Sequence, residues 1–127
     1  MKKSYIIVLF ILVLAAALSA FFIGRKKPEL IATVTYMCDK EKTITASYYE
    51  VKPEPIVVPG QAPKPEGSVR LSFGDKKLIT LKQTLSGSGV RYANKDESLV
   101  FWNKGDEVLV MRNNVMDLNY TNCLAKK

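Results

Sequence analysis

Short runs of alternating apolar and polar residues, each bounded by a turn, constrain the fold of this chain more than any other feature. After Lys27 the runs are IATVTYMC, TITASYY, VRLSF, KLITLKQT, VRYA, SLVFW, VLVM and MDLNYTNC. Successive side chains of a strand point to opposite faces, so this alternation is typical of half-buried β-strands. Beyond Lys27 we find no sustained helical period. The pattern predicts an all-β fold, an antiparallel barrel or sandwich.

The chain begins with an apolar segment that matches the length of a membrane span. Tyr5 to Ile23 is a stretch of 19 uncharged residues with lysine or arginine on both sides. As a hydrophobic helix it would extend roughly 28 Å, close to the hydrocarbon thickness of a bilayer. The alternative is a signal peptide cut within the small-residue patch Ala15 to Ala20. We therefore predict that residues 1–27 are a membrane anchor or signal segment and that 28–127 form one domain.

The positive charge of the chain lies mainly beside the apolar segment. The chain has 19 basic and 12 acidic residues, and residues 1–27 contain five of the basic ones and no acid. Residues 28–127 therefore have 14 basic residues against 12 acidic ones. A nucleic-acid interface needs Lys and Arg gathered on one face of a domain, so we expect no nucleic-acid partner.

Two cysteines, Cys38 and Cys123, lie near the two ends of the predicted domain. An even pair that follows a membrane-targeting segment predicts a disulfide formed in an oxidising compartment. Such a bridge would connect the first strand to the last. The alternative is a pair of reduced thiols in a cytosolic domain, and the N-terminal segment argues against it.

A proline-rich segment interrupts the strand pattern. Residues 52–67, KPEPIVVPGQAPKPEG, contain five of the six prolines of the chain. Proline cannot donate a hydrogen bond to a sheet, so we predict an exposed loop between the second and third strands. The alternative is a proline-rich ligand for a partner domain. A tolerated insertion is the simpler interpretation, because long surface loops cost little free energy.

The composition argues against an enzyme. There is no histidine, which removes Ser-His-Asp triads and the usual general base near neutral pH. The glycines of SGSG lack the spacing of a dinucleotide-binding fingerprint. Asp106 and Glu107 are adjacent on a predicted strand and would point to opposite faces. We expect no catalysis, no cofactor and no metal site, but a membrane-tethered β-domain that binds a partner.

Two polar motifs that contain glycine stand close together between the predicted strands. They are SGSGVRY, from Ser86 to Tyr92, and WNKGDE, from Trp102 to Glu107. With YMCDK before them and a cysteine after them, they resemble the bacterial inhibitors of C-type lysozyme, the MliC/PliC family. The resemblance runs from about Val34 to Cys123. It implies a small eight-stranded antiparallel β-barrel, closed by a disulfide between the two cysteines, that binds C-type lysozyme and fills its active-site cleft.

The resemblance also implies a set of lysozyme-binding residues. The residues that match Ser88 and Lys104 reach the two catalytic acids of lysozyme. Gly89 lets the backbone turn tightly and approach closely. Arg91 and Tyr92 follow on the strand and are expected in the same set. Their alternatives are a solvated strand residue for Arg91 and barrel packing for Tyr92.

Three further expectations concern location, function and Trp102. Membrane-bound members of the family usually carry a lipid-modified cysteine after the signal segment, and this chain has none there. We therefore expect the protein on the periplasmic face of the inner membrane, anchored by Tyr5 to Ile23, or soluble in the periplasm after cleavage. The rival function is a non-inhibitory envelope module that binds peptidoglycan or a membrane protein. Trp102 is expected in the core, because its neighbours alternate apolar.

Overall fold

The computed structural model describes residues 27–52, 65–75 and 77–127, together with Ile11 and Val13. The remainder of the expected anchor, Tyr5 to Ile23, and most of the proline-rich segment lie outside the described residues. Within these ranges, no helix is long and apolar enough to cross a membrane. The expectations for both segments stay predictions.

The described residues contain nine β-strands and one short 3-10 helix, Asp39–Glu41. The strands are β1 (Glu29–Met37), β2 (Thr43–Glu50), β3 (Ser68–Ser72), β4 (Leu78–Thr84), β5 (Val90–Ala93), β6 (Leu99–Lys104), β7 (Glu107–Arg112), β8 (Val115–Met116) and β9 (Cys123–Ala125). Consecutive strands from β1 to β7 pair antiparallel, and β9 lies between β1 and β7 and closes the ring. β8 pairs with β7. The prediction of an all-β, eight-stranded antiparallel barrel is confirmed.

The barrel interior is formed by the inward-facing half of each alternating run. In β3, Val69 and Leu71 have no exposed surface, whereas the residues on either side of them point outward. Burial of one such side chain stabilises the fold by about 1.5–3 kcal/mol. The largest fully buried side chains of the core are Tyr36, Phe101, Ile44, Leu71, Leu81, Val69, Val108, Val110 and Cys123.

The last run, MDLNYTNC, differs from the continuous strand predicted for it. The chain turns after β8 and becomes extended again only at Cys123. The carboxylate of Asp117 accepts hydrogen bonds from Nε of Arg112 at 2.6 Å and from the backbone N–H of Asn119 at 3.0 Å. Local bonds of this kind offer the backbone an alternative to strand pairing. The prediction is wrong here because the aspartate stabilises a turn.

A disulfide reinforces the closure of the barrel. Cys38, just after β1, is bonded to Cys123, the first residue of β9, across a sequence separation of 85. The predicted bridge is confirmed. β9 pairs with each neighbour through only two residue pairs, so hydrogen bonds alone hold it weakly. Closing a loop this long lowers the entropy of the unfolded chain by an amount equivalent to about 4–5 kcal/mol.

Candidate binding site

The register of β5 and β6 places Ser88 and Lys104 side by side. Val90 pairs with Asn103, so Gly89 and Lys104 extend beyond the same edge of the barrel. Ser88, Gly89 and Lys104 are all exposed. We refer to the loop Ser86–Gly89 as the serine tip and to the turn Lys104–Asp106 as the lysine tip. A Cβ added at Gly89 would lie 3.3 Å from Cγ of Lys104, so the two tips are in close contact.

The serine tip is held through one backbone carbonyl group. The carbonyl oxygen of Ser88 accepts hydrogen bonds from Oγ of Ser86 at 2.7 Å and from Nε1 of Trp102 at 2.8 Å. The hydroxyl group of Ser88 makes no hydrogen bond to the described residues and is exposed. The backbone of this loop is therefore held in place, while the Ser88 hydroxyl is left without a described hydrogen-bond partner.

The two glycines of the serine tip differ in what their positions require. Gly89 has a φ of +64°, in the left-handed region that favours glycine. A Cβ there would collide with the backbone carbonyl oxygen of Asn103. A Cβ at Gly87 would meet no atom within 4 Å. Only Gly89 is required by the close approach of the serine tip to β6.

The lysine tip consists of Lys104, the last residue of β6, and the two-residue turn of the β6–β7 hairpin, Gly105 and Asp106. Lys104 pairs with Glu107, and Gly105 has a φ of +77°. A positive φ at the first position of such a turn is the one that type II′ turns need. Oδ1 of Asn103 also accepts a hydrogen bond from the backbone N–H of Gly105 at 3.1 Å. The turn conformation is thus held by the strand pairing of Lys104 with Glu107 and by the side chain of Asn103.

Asn103 connects the lysine tip to the barrel interior. Its Nδ2 donates to the hydroxyl oxygens of Tyr36 at 2.9 Å and Tyr48 at 3.0 Å. The two hydroxyl groups are 2.7 Å apart and hydrogen-bonded to each other. Burial raises the pKa of both Tyr36 and Tyr48, so the network stays neutral at physiological pH. A neutral, hydrogen-bonded network beneath the turn keeps the tip in one position.

Trp102 lies on the outer face of the barrel between the two tips. It is half-buried and does not belong to the core cluster, so the expectation of a core position is wrong. Nζ of Lys104 lies 4.2 Å from the ring centroid, within the range of a cation–π interaction. The sequence does contain a signal that Trp102 could face outward. Phe101 and Trp102 are adjacent on one strand, so only one of them can face the interior.

Arg91 lies next to Trp102 on the outer face of the sheet but its guanidinium is already paired. Nη1 and Nη2 donate to the two carboxylate oxygens of Glu97 at 3.2 and 3.0 Å. Nη1 also donates to Oγ1 of Thr84 at 2.9 Å. The charge of Arg91 is therefore already paired with a carboxylate of its own chain.

Tyr92 points to the inside of the barrel. It is paired with Phe101 on β6, and only 7% of its surface is exposed. Its ring lies 5.8 Å from that of Tyr48, and burial raises its pKa to about 12. Among the residues predicted for the site, the structure brings Ser88, Gly89 and Lys104 together at the surface and puts Tyr92 behind them.

Exposed apolar side chains flank the serine tip. Leu85, just before the loop, is 77% exposed, and Val90, just after it, is 36% exposed. Asp106 in the lysine tip is paired with Lys127 at 3.2 Å. Lys104 forms no salt bridge with the described carboxylates. The surface thus presents one cation without a described carboxylate partner and one hydroxyl group without a described hydrogen bond, with apolar residues beside them.

The site contains no group of metal ligands. Across the described ranges, no three His, Cys, Asp or Glu side chains lie close enough together to hold a metal ion. The available chemistry is that of hydrogen-bond donors, one ammonium group and apolar surface. This arrangement suits the recognition of a carboxylate-bearing partner.

The comparisons with known proteins agree with the resemblance found in the sequence. The profile of the family described as "Membrane-bound lysozyme-inhibitor of c-type lysozyme", MliC, matches residues 36–119, which include both tips. A protein of Escherichia coli (strain K12), the "Membrane-bound lysozyme inhibitor of C-type lysozyme", is 32% identical over 123 residues, covering 97% of this chain and 92% of that protein. No solved structure matches the chain significantly. The chain belongs to the MliC family.

Proposed function

We propose that this protein inhibits C-type lysozyme by inserting the serine and lysine tips into the active-site cleft, and so protects bacterial peptidoglycan. Membership of the MliC family and the name of the E. coli relative support the inhibition. The observation that carries the mechanism is the side-by-side placement of two exposed, rigidly held tips. Each tip presents one polar group that no described hydrogen bond or salt bridge occupies.

The chemistry of the two tips complements the catalytic groups of C-type lysozyme. That enzyme uses one protonated Glu as an acid and one ionised Asp beside it. The ammonium group of Lys104 is a compact cation with three donors, suited to the ionised carboxylate. The hydroxyl group of Ser88 both donates and accepts, so it suits the protonated carboxyl group. Insertion also excludes the substrate from the cleft.

The remaining members of the predicted site support the tips from behind. Gly89 permits the close approach of the serine tip to β6. Tyr92 braces β5 from inside the barrel, and Arg91 fixes the outer face of β5 through Glu97 and Thr84. The exposed side chains of Leu85 and Val90 provide apolar area at the rim of the contact.

We further propose that residues 1–27 anchor the protein to the inner membrane through Tyr5 to Ile23, with the barrel on the periplasmic side. The Cys38–Cys123 disulfide supports an oxidising compartment. The E. coli relative is described as membrane-bound. Cell fractionation tests this proposal, since the protein should remain in the membrane fraction at its full mass. A mature protein that begins near Phe21 would instead establish a cleaved signal and a soluble periplasmic inhibitor.

The test of the function is an inhibition assay with two substrates. The full chain, purified in detergent, is mixed with a C-type lysozyme, and hydrolysis is followed on cell walls and on a soluble oligosaccharide. An inhibitor that occupies the cleft blocks both reactions. An envelope module that shields peptidoglycan blocks only the first. Normal hydrolysis of the soluble substrate at saturating protein would refute the proposal in favour of that rival.

A further inference from the structure

Trp102 is the single tryptophan of the chain and contacts both tips at once. Its indole N–H donates to the carbonyl oxygen of Ser88 at 2.8 Å. The face of the same ring lies 4.2 Å from Nζ of Lys104. The two contacts use different parts of the side chain, its edge and its π face, so they are compatible with each other.

Both tips are made of residues that lose much conformational freedom when they become ordered. The serine tip has the sequence Ser-Gly-Ser-Gly, and glycine loses more backbone entropy than any other residue. Lys104 has a long, flexible stem with many rotamers. Freedom that remains in the unbound protein has to be given up on binding and lowers the affinity. A group that orders both tips beforehand therefore favours binding.

We propose that Trp102 is a positioning residue, which holds the serine and lysine tips in their binding arrangement before lysozyme is encountered. This inference rests on the proposed function of the two tips. Ser86 also bonds the Ser88 carbonyl group, but it belongs to the loop that has to be ordered. Trp102 is fixed independently, because its backbone pairs with Arg91 on β5 and Leu109 on β7. The indole ring thus connects both tips to the barrel wall.

Pre-ordering has a kinetic signature. Without the ring, only a fraction of the molecules has both tips correctly arranged at any moment. The apparent association rate constant is the intrinsic one multiplied by that fraction, while the dissociation rate constant of the complex is unchanged. A tryptophan that acted only by touching lysozyme would show the opposite pattern, faster dissociation with unchanged association.

The experiment measures both rate constants for the full chain in detergent binding to a C-type lysozyme. Trp102→Leu removes both contacts and should slow association about 10-fold. Trp102→Phe keeps the π face but lacks the N–H, so we expect a smaller decrease of about 3-fold. For both variants the dissociation rate constant should stay within about 2-fold of the parent value.

Tyr49 provides a matched control. Its ring also makes a cation–π contact, because the guanidinium carbon of Arg70 lies 5.2 Å from the ring centroid. This pair lies on β2 and β3, strands that do not form the two tips. Tyr49→Leu should leave both rate constants unchanged. If it slowed association as much as Trp102→Leu, the effect would be a general loss of stability and the inference would fail.

A second measurement, by NMR without lysozyme, separates this inference from the proposed function. In the parent protein the ring should shift the Lys104 side-chain protons upfield, and the indole N–H should exchange slowly. Trp102→Leu should lose the upfield shift and increase the mobility of the serine tip. If that variant does not fold, Trp102→Phe decides, because it should keep the upfield shift while the serine tip loses order.

The rate measurements and the NMR comparison distinguish failure of the Trp102 inference from failure of the proposed function. Unchanged order of both tips in a folded Trp102 variant overturns the inference, whether or not lysozyme is inhibited. The inference is also overturned if the variant loses affinity only through a larger dissociation rate constant, with an unchanged association rate constant. If the parent protein does not inhibit lysozyme, the proposed function fails, and the NMR comparison still decides whether Trp102 orders the tips.

Discussion

The two ends of the β5–β6 hairpin carry similar residues but use them differently. The turn between the strands, Asn94–Ser98, is termed the closed loop here. Oδ1 of Asn94 accepts from the backbone N–H of Leu99 at 2.9 Å, and Nδ2 of Asn94 donates to Oγ of Ser98 at 2.8 Å. Oγ of Ser98 donates in turn to Oδ1 of Asp96 at 2.8 Å. In the closed loop, the side chains of Asn94, Asp96 and Ser98 thus bond one another or the adjoining backbone.

At the opposite end of this hairpin, the serine and lysine tips are held mainly through backbone atoms, and the side chains of Ser88 and Lys104 stay available. Ser88 is held by its carbonyl group and Gly105 by its N–H group. The Ser88 hydroxyl and the Lys104 ammonium point outward without a described hydrogen bond. Polar composition alone therefore does not identify a binding site. The distinction lies in whether the side-chain atoms or the backbone atoms make the internal bonds.

The largest expected effect comes from removing a lysine at each end of the hairpin, Lys104 in the lysine tip and Lys95 in the closed loop. Lys104→Ala removes the cation that would face the ionised carboxylate in the cleft. Loss of one partner of a desolvated charge pair costs about 2–5 kcal/mol, so inhibition should weaken by roughly 30-fold or more. The inhibition constant against a C-type lysozyme is the measurement.

Lys95→Ala is the control for this change. Lys95 is exposed and lies in the closed loop, so its removal should leave the inhibition constant unchanged. Equal inhibition by the Lys104→Ala protein and the parent would show that the contact surface lies elsewhere on the barrel.

The next effect compares two glycines within the serine tip. Gly89→Ala forces a side chain into the left-handed region and against the Asn103 carbonyl oxygen, at a cost of about 2–3 kcal/mol. The loop should move away from β6, with a lower melting temperature and about 10-fold weaker inhibition. Gly87→Ala adds a methyl group in open space and should change neither quantity measurably. Equivalent behaviour of the two variants would contradict the close approach of the serine tip to β6.

A third comparison sets one serine against another. Ser88→Ala removes an exposed hydroxyl, so stability should be unchanged while binding weakens by about 1–2 kcal/mol. Ser98→Ala removes two hydrogen bonds from the closed loop and should lower stability by about 1 kcal/mol without changing inhibition. Thermal unfolding and inhibition assays on both variants provide the test. If Ser98→Ala weakened inhibition and Ser88→Ala lowered stability, the closed loop and not the serine tip would be the binding end of the hairpin.

The sequence indicated the fold more completely than the site, for a physical reason. Alternation reports which side chains face inward, so the barrel and the burial of Val69 and Leu71 were predictable. The turn at Asp117 was missed because it depends on one side chain bonding the backbone of Asn119. Periodicity does not record such local competition.

For the site, the motifs indicated the tips but not the contacts between them. Gly89 could be predicted as a turn residue, but its contact with Asn103 depends on strand register. The alternation predicts a core position for Trp102, because an apolar side chain suits it. Its position between Ser88 and Lys104 follows from which face of β6 it occupies. That face is set by Phe101, which fills the interior.

The smallest expected effect separates the two ends by pH in the unbound protein. The hydrogen bond from Ser98 lowers the pKa of Asp96, and the hydrogen bond from Arg91 lowers the pKa of Glu97. Because both pKa values are depressed in the folded state, the stabilisation is present above the ordinary carboxyl pKa. It is lost as the pH falls through the lowered values, below about pH 4. The serine tip contains no ionisable side chain.

Backbone amide signals followed by NMR from pH 6 to pH 3 should therefore move more in the closed loop than in the serine tip. Ser98→Ala should return the titration of Asp96 towards its ordinary range and leave that of Glu97 in place, because Arg91 still donates to Glu97. Movement of the serine-tip signals caused by Ser98→Ala at constant pH would mean that the hairpin transmits changes from one end to the other. The two ends would then form one unit, and the tips would owe their order to the closed loop as well as to Trp102 and Asn103.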